Sequence, residues 1–170
     1  MIEFRPLRAD EIECRAQQVK ENGLVLLLYK DARVDMTVLD STDGIGPENW
    51  QREHYECKGN LFCRVGIKVG NEWVWKADCG VESNTEAQKG ESSDSFKRAC
   101  FNWGIGRELY TAPFVWIPAA KCNIKSDGKG AKCFDKFSVE KILIENKQIT
   151  ALAIWNNTKN ARAFVWQKGK

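Results

Sequence analysis

Hydrophobic spacing along the chain switches between helix-like and strand-like periods, and the switches divide it into elements. From Asp10 to Asn22, the residues Ile12, Ala16 and Val19 fall on one stripe and Gly23 follows as a stop, which predicts a short helix. Leu24 to Tyr29 is an apolar run that reads as a short buried strand or extended segment. Over Ala32 to Asp40, Val34 and Val38 lie four apart and favour a helix, although Val34, Met36 and Val38 also alternate as a strand would. Asp43-Gly44-Ile45-Gly46-Pro47 is a loop.

Three strands follow. Trp50 to Cys57 is the first, with a turn at Lys58-Gly59-Asn60. In the second, Leu61, Cys63, Val65, Ile67 and Val69 share one face, with Arg64 and Lys68 on the other. Gly70-Asn71 is a two-residue hairpin turn. Glu72 to Cys79 completes an antiparallel meander, with Trp73, Trp75 and Ala77 on one face and Val74 and Lys76 on the other. The two Trp are expected on the helix-covered face, as core rather than as stacking platforms. Then comes the main helix. Ser83-x-x-Glu86 fits a capping box, Phe96, Ala99, Cys100 and Trp103 make an apolar stripe, and Gly104 ends it. Gly90 inside it marks a weak point.

Pro113 to Lys132 is a connector rich in Gly, Lys and Ala. Val139 to Ile144, Ile149 to Trp155 and Ala161 to Trp166 then read as a second small meander with turns at Asn146-Lys147 and Asn156-Asn157. The fold class expected is α+β. Its centre is a β-β-β-α core, an antiparallel meander packed against one long helix, with an N-terminal helix and a C-terminal β meander. The expected division is a core domain over 1–117, a basic connector over 118–136 and a β-rich extension over 137–170.

Composition narrows the function. The 170 residues are 43% hydrophobic and 29% charged, ordinary for a globular chain. The longest wholly apolar run, Leu24 to Leu28, is far short of a membrane span, and Glu3, Arg5 and Arg8 leave no apolar signal region near the start. Seven Cys without any C-x-x-C pair read as free thiols in a reducing compartment, for which the cytoplasm is the expected place. Residues 1–112 hold 15 Lys+Arg against 19 Asp+Glu, while residues 113–170 hold 11 against 4. This asymmetry suits a polyanion partner, and equally a solvated lysine-rich surface that keeps strands from aggregating.

The motifs of common enzymes are missing from the sequence. No phosphate-binding G-x-x-x-x-G-K-[ST] loop and no G-x-S-x-G elbow occurs, and Gly104-Ile105-Gly106 lacks a third glycine and follows a helix. The single His54 argues against a histidine metal site or triad. The rival enzymatic reading is a metal-dependent nuclease using Asp35, Asp40, Asp78 and Glu82, whose spacing supports no particular geometry. No catalytic residue, cofactor or metal is expected.

The stretch from Lys89 to Ala99 carries the informative chemistry. With Phe96, Cys100 and Trp103 facing the core, Arg98 points outward and Lys97 flanks it, an arrangement suited to phosphate contact. An Asp94–Arg98 pair on a solvated helix face explains the same residues as structure. Arg64, Lys68 and Lys76 project from the sheet with Arg52 beside them, as a facing row of cations or as an exposed charged face.

Gly80-Val81-x-Ser83, then Lys89-x4-Asp94-x2-Lys97-Arg98-Ala99-x3-Trp103-Gly104, resembles the Rad52 (Rad22) family of single-strand annealing proteins. The continuation from Gly104 through Arg107-Glu108-Leu109-Tyr110 to Pro113 resembles its bacteriophage and prophage branch, and Tyr29 to Val34 with Asn49-Trp50 also fits. The likeness spans about 5–117. It implies the β-β-β-α core, a homo-oligomeric ring, and single-stranded DNA held in a positively charged groove. It also implies ATP-independent annealing of a complementary strand, in recombination and double-strand break repair. In eukaryotic relatives an Arg matching Arg33, the pair matching Lys97-Arg98 and a basic position matching Lys89 line the groove. A further helix Arg of that groove is Phe101 here, which leaves it less basic or supplies a stacking ring. A single-strand-binding protein is a candidate partner. The predicted N-terminal helix and the strand at 24–29 are candidate subunit contacts. The remaining alternative is an interaction module without DNA binding.

Overall fold

A computed structural model describes the backbone at residues 2–81 and 87–170, and the side chains there except at 87–89. The predicted Ser83–Glu86 capping box and Glu82 lie outside the described residues, as does the side chain of Lys89. The chain runs through β1 (Glu13–Lys20), β2 (Gly23–Tyr29), α1 (Ala32–Ser41), β3 (Trp50–Cys57), β4 (Asn60–Val69), β5 (Glu72–Cys79) and α2 (Ala87–Trp103). It continues as β6 (Val115–Pro118), β7 (Ile124–Ser126), β8 (Ala131–Cys133), β9 (Phe137–Glu145), β10 (Gln148–Asn156) and β11 (Ala161–Gln167). The fold is mixed α+β, and its strand pairings are antiparallel. Among the described residues no helix is long and apolar enough to cross a membrane.

The chain forms two compact units. The first comprises residues up to Pro6 and Asp31–Arg107. Its three-stranded sheet, β3-β4-β5, is antiparallel throughout, with α2 packed on one face. Cys63, Val65 and Ile67 of β4 meet Phe96, Ala99 and Cys100 of α2, and Val38, Leu39, Ile45 and Ile105 complete the buried cluster. The apolar stripe expected on the helix is therefore its packing face. The helix runs through Gly90 unbroken and ends in a Schellman arrangement. Gly104, at φ +101°, donates to the Phe101 carbonyl at 2.9 Å, and Ile105 donates to that of Cys100 at 3.1 Å.

The second unit comprises Leu7–Lys30 and Glu108–Lys170. Its sheet has six strands in the order β11-β10-β9-β1-β2-β6, with β7-β8 as a separate hairpin. Leu24, Ile117, Ile149, Leu152 and Ile154 are among its fully buried side chains. The late meander is thus continuous with strands from before residue 117.

The N-terminal helix expected over 10–22 is not formed. A three-residue 3-10 turn at Ala9–Glu11 leads into β1, which pairs with the apolar β2. A bulge between Ala16 and Gln18 shifts the register, so Cys14 and Val19 are both half-buried although five residues apart. One extra residue in a strand breaks the two-residue alternation and imitates helical spacing. The weaker helix reading at Ala32–Asp40 matches α1.

Candidate nucleic-acid interface

Each candidate cation is placed by a local rule. Asp31 caps α1, its carboxylate accepting the Arg33 backbone N–H at 2.8 Å. The same carboxylate holds the Arg33 guanidinium, with Nε at 2.9 Å, while the Arg33 side chain stays 84% exposed. The Asp31 carboxyl is held below the usual range, first by the Arg33 side-chain hydrogen bond, then by its N–H, with a smaller contribution from the Lys97 charge. Helix α1 packs on α2, and the Lys97 charge on α2 adds weakly to that of Arg33 at this carboxylate.

Arg98 stands next to Lys97. Its Nε donates to Asp94 at 2.8 Å, four residues back on the same helix, so the expected i,i+4 pair is formed. Asp94 also accepts the Val81 N–H at 3.0 Å, which fixes the carboxylate that orients Arg98. Both cations are half-buried and lie between the wholly buried Phe96 and Ala99 in the sequence.

The sheet cations divide between two faces rather than forming one row. Lys76 and Arg52 lie on the helix-covered face. Lys76 stacks over Trp103 at 4.6 Å and donates to the Asn102 carbonyl at 3.0 Å, and Arg107 donates to the same carbonyl at 2.9 Å, so both cations satisfy the helix C-terminus. Arg52 stacks over Phe96 at 4.7 Å. Arg64 and Lys68 lie on the other face, where Arg64 stacks over Trp75 at 4.6 Å and donates from Nε to Glu53 at 2.8 Å.

Trp73 and Trp75, expected on the helix-covered face from their alternation with Val74, lie on the other one. Pairing in the β4–β5 hairpin sets Ile67 opposite Val74, Val65 opposite Lys76 and Gly66 opposite Trp75. Directly opposite residues share a face, so the Trp side chains go with Arg64 and Lys68, away from α2.

The described carboxylates of the nuclease alternative, Asp35, Asp40 and Asp78, are each engaged locally. Asp35 is buried in α1, Asp40 accepts the Trp50 indole N–H at 2.7 Å, and Asp78 accepts from Asn102 at 3.2 Å. Among the described residues no three His, Cys, Asp or Glu side chains gather to hold a metal. His54 lies 3.1 Å from the Ser92 carbonyl and packs β3 to α2.

The Asp31 cap gives a direct prediction. Asp31→Ala is expected to cost about 1 kcal/mol at neutral pH. A carboxylate depressed in the folded state stabilises fully above its unfolded value and loses that contribution as pH falls through the folded one. Urea unfolding of wild type and variant should therefore differ at pH 7 and converge below the usual carboxylate range.

Sequence comparison places the chain among known proteins. It is 33% identical over 94 residues to the single-stranded DNA-binding protein DdrA of Deinococcus radiodurans, a stretch covering 54% of this chain and 44% of that protein. It is 30% identical over 95 residues to the DdrA of Deinococcus deserti, covering 55% and 46%. The match thus spans less than half the length of either relative. No solved structure gives a significant match. Residues 9–125, more than two thirds of the chain, match the Rad52/22 family double-strand break repair protein, and the chain belongs to that family.

Proposed function

We propose that this protein binds single-stranded DNA through its phosphates and anneals complementary strands without ATP, as a non-enzymatic mediator of recombination and double-strand break repair. The observation that carries the reading is the packing of α1, which bears the exposed Arg33 held by Asp31, against α2, which bears Lys97 and the Asp94-oriented Arg98. Two elements distant in sequence bring cations to one place, and cations so placed suit a polyanion that passes across both helices. The family and the names of the two relatives support the substrate class.

Annealing makes and breaks no covalent bond. Duplex stacking supplies the driving force, about 1.4 kcal/mol per base-pair step. The protein has to remove secondary structure in each strand and raise local strand concentration. By the family resemblance, the 1–117 segment supplies the annealing core and copies assemble into a ring or filament, which joins short cationic surfaces into a continuous path. Lys89 is a further candidate contact by its place in the motif.

The test mixes labelled complementary oligonucleotides with the protein in chelator and without nucleotide, alongside single-stranded DNA with Mg²⁺. Accelerated pairing indifferent to both additions supports the reading. Mg²⁺-dependent cleavage supports the nuclease alternative, and the absence of a salt-sensitive shift of single-stranded DNA supports the interaction module.

A further inference from the structure

The face of the three-stranded sheet turned away from α2 carries a row of aromatic rings set among cations. Tyr55 and Phe62 stack with centroids 5.5 Å apart at one end. Arg64 follows, lying over Trp75 at 4.6 Å, and Trp73 adjoins Trp75 at 6.2 Å with Lys68 as its cross-strand partner. Trp75 is folded down onto Gly66, where a Cβ would lie 2.8 Å from the indole, so the glycine lets the ring lie flat on the strand. Trp73 is 39% exposed and Tyr55 38%. From Phe62 to Lys68 the row extends about 20 Å along β4.

The chemistry of this face differs from that of the packed one. Cys63, Val65 and Ile67, with their compact apolar side chains, all point into the α2 interface. The opposite face of the same strand and its neighbours presents flat rings, two cations and one carboxylate, Glu53, paired with Arg64. Flat π-surfaces interleaved with cations match a ligand that alternates planar rings with negative charge.

We propose that this strip is a stacking platform for the unpaired bases of single-stranded DNA, separate from the phosphate contacts at Arg33, Lys97 and Arg98. Trp73 and Tyr55 offer the exposed rings, Gly66 and Arg64 hold Trp75 in place, and Lys68 faces the strand's charge. The assignment rests on the reading of the chain as a single-stranded DNA binder. It adds a contact to the bases themselves, which the helix cations do not supply. Stacking tolerates any base, so it is compatible with annealing of arbitrary sequence.

The test measures affinity over a salt series for oligo(dT) and for an abasic deoxyribose-phosphate strand of equal length. The proteins are wild type, Trp73→Ala, Tyr55→Ala and Trp73→Phe, each checked by circular dichroism. Trp73→Ala and Tyr55→Ala are each expected to bind oligo(dT) about fivefold more weakly or worse, with the salt slope unchanged. Both should match wild type on the abasic strand, and Trp73→Phe should recover most of the loss. If Trp73→Ala fails to fold, Tyr55→Ala and Trp73→Phe decide. Wild-type affinity for oligo(dT) in the folded Ala variants overturns the platform and leaves the proposed function standing. An equal loss on the abasic strand, or a change in oligomeric mass without a base-dependent loss, also overturns it, the latter marking the strip as a contact between copies. A wild type that binds neither strand removes the functional reading and the platform together.

Discussion

Replacing Lys97 and Arg98 together with Ala is expected to weaken single-stranded DNA binding for every sequence alike. It should also flatten the salt dependence by about 0.7 of a log unit per lost phosphate contact. A hydrogen bond to a charged group contributes roughly 1.5–3 kcal/mol, so loss of the pair should reduce affinity tenfold or more. The geometry makes the competing explanation specific. Arg98 is bonded to Asp94 at 2.8 Å, a contact that a purely structural role would account for. That role predicts a loss of about 0.3–0.5 kcal/mol in stability with no change in DNA binding. Asp94 keeps the Val81 N–H when Arg98 is truncated, so the carboxylate is not left bare. Both positions are half-buried but outside the buried cluster of the unit, so the double variant should fold. A salt titration with circular dichroism as control separates the two. Unchanged affinity and slope in a folded variant would remove both residues from the interface.

The elements with unbroken periodicity were legible in the sequence. The middle of the Leu61–Val69 alternation, Cys63, Val65 and Ile67, and the stripe Phe96, Ala99 and Cys100 with Trp103 beside it each correspond to a packed face, because each side meets a single partner layer. The errors came where a local rule competed with composition. The bulge in β1 broke the two-residue alternation and left a helix-like spacing, and the partner strand that decides the matter is apolar β2. The face of Trp73 and Trp75 was misread by setting Val74 on the face away from the helix, although the information to place it was present. A two-residue turn at Gly70-Asn71 sets Val69 opposite Glu72. Val69 alternates with Val65 and Ile67, so Glu72, Val74 and Lys76 had to share their face and the Trp residues had to take the other. Of the candidate site, the neighbouring Lys97 and Arg98 were legible from helix geometry. The placement of Arg33 was not, because it depends on how α1 packs on α2. Nor was the use of Lys76 at the helix C-terminus, since a lysine on a strand carries no mark of the carbonyl it will reach.

Phe96→Ala is expected to have the largest effect on stability, about 3–5 kcal/mol, the cost of truncating a fully buried aromatic. Phe96 is wholly buried and holds the first unit together from several directions. Its ring stacks on Trp50 of β3 at 6.1 Å and supports Arg52 at 4.7 Å, while its helix neighbours Ala99 and Cys100 lie in the same cluster with Val65 and Ile67. Removal leaves a cavity between the sheet and α2 that small neighbours cannot fill, and it leaves the Arg52 guanidinium without its ring. A protein of ordinary stability has about 5–15 kcal/mol to lose, so the variant should be folded only marginally at 25 °C. Phe96 also immediately precedes Lys97, so its burial fixes which way the cations point. The urea midpoint should therefore fall steeply in Phe96→Ala, and DNA binding should weaken in proportion to the unfolded fraction. In the Lys97 and Arg98 double variant the midpoint should hold and binding alone should fall. If Phe96→Ala kept the wild-type midpoint, the packing of α2 on β3 and β4 would not be the source of the unit's stability, and the placement of the cations would need another cause.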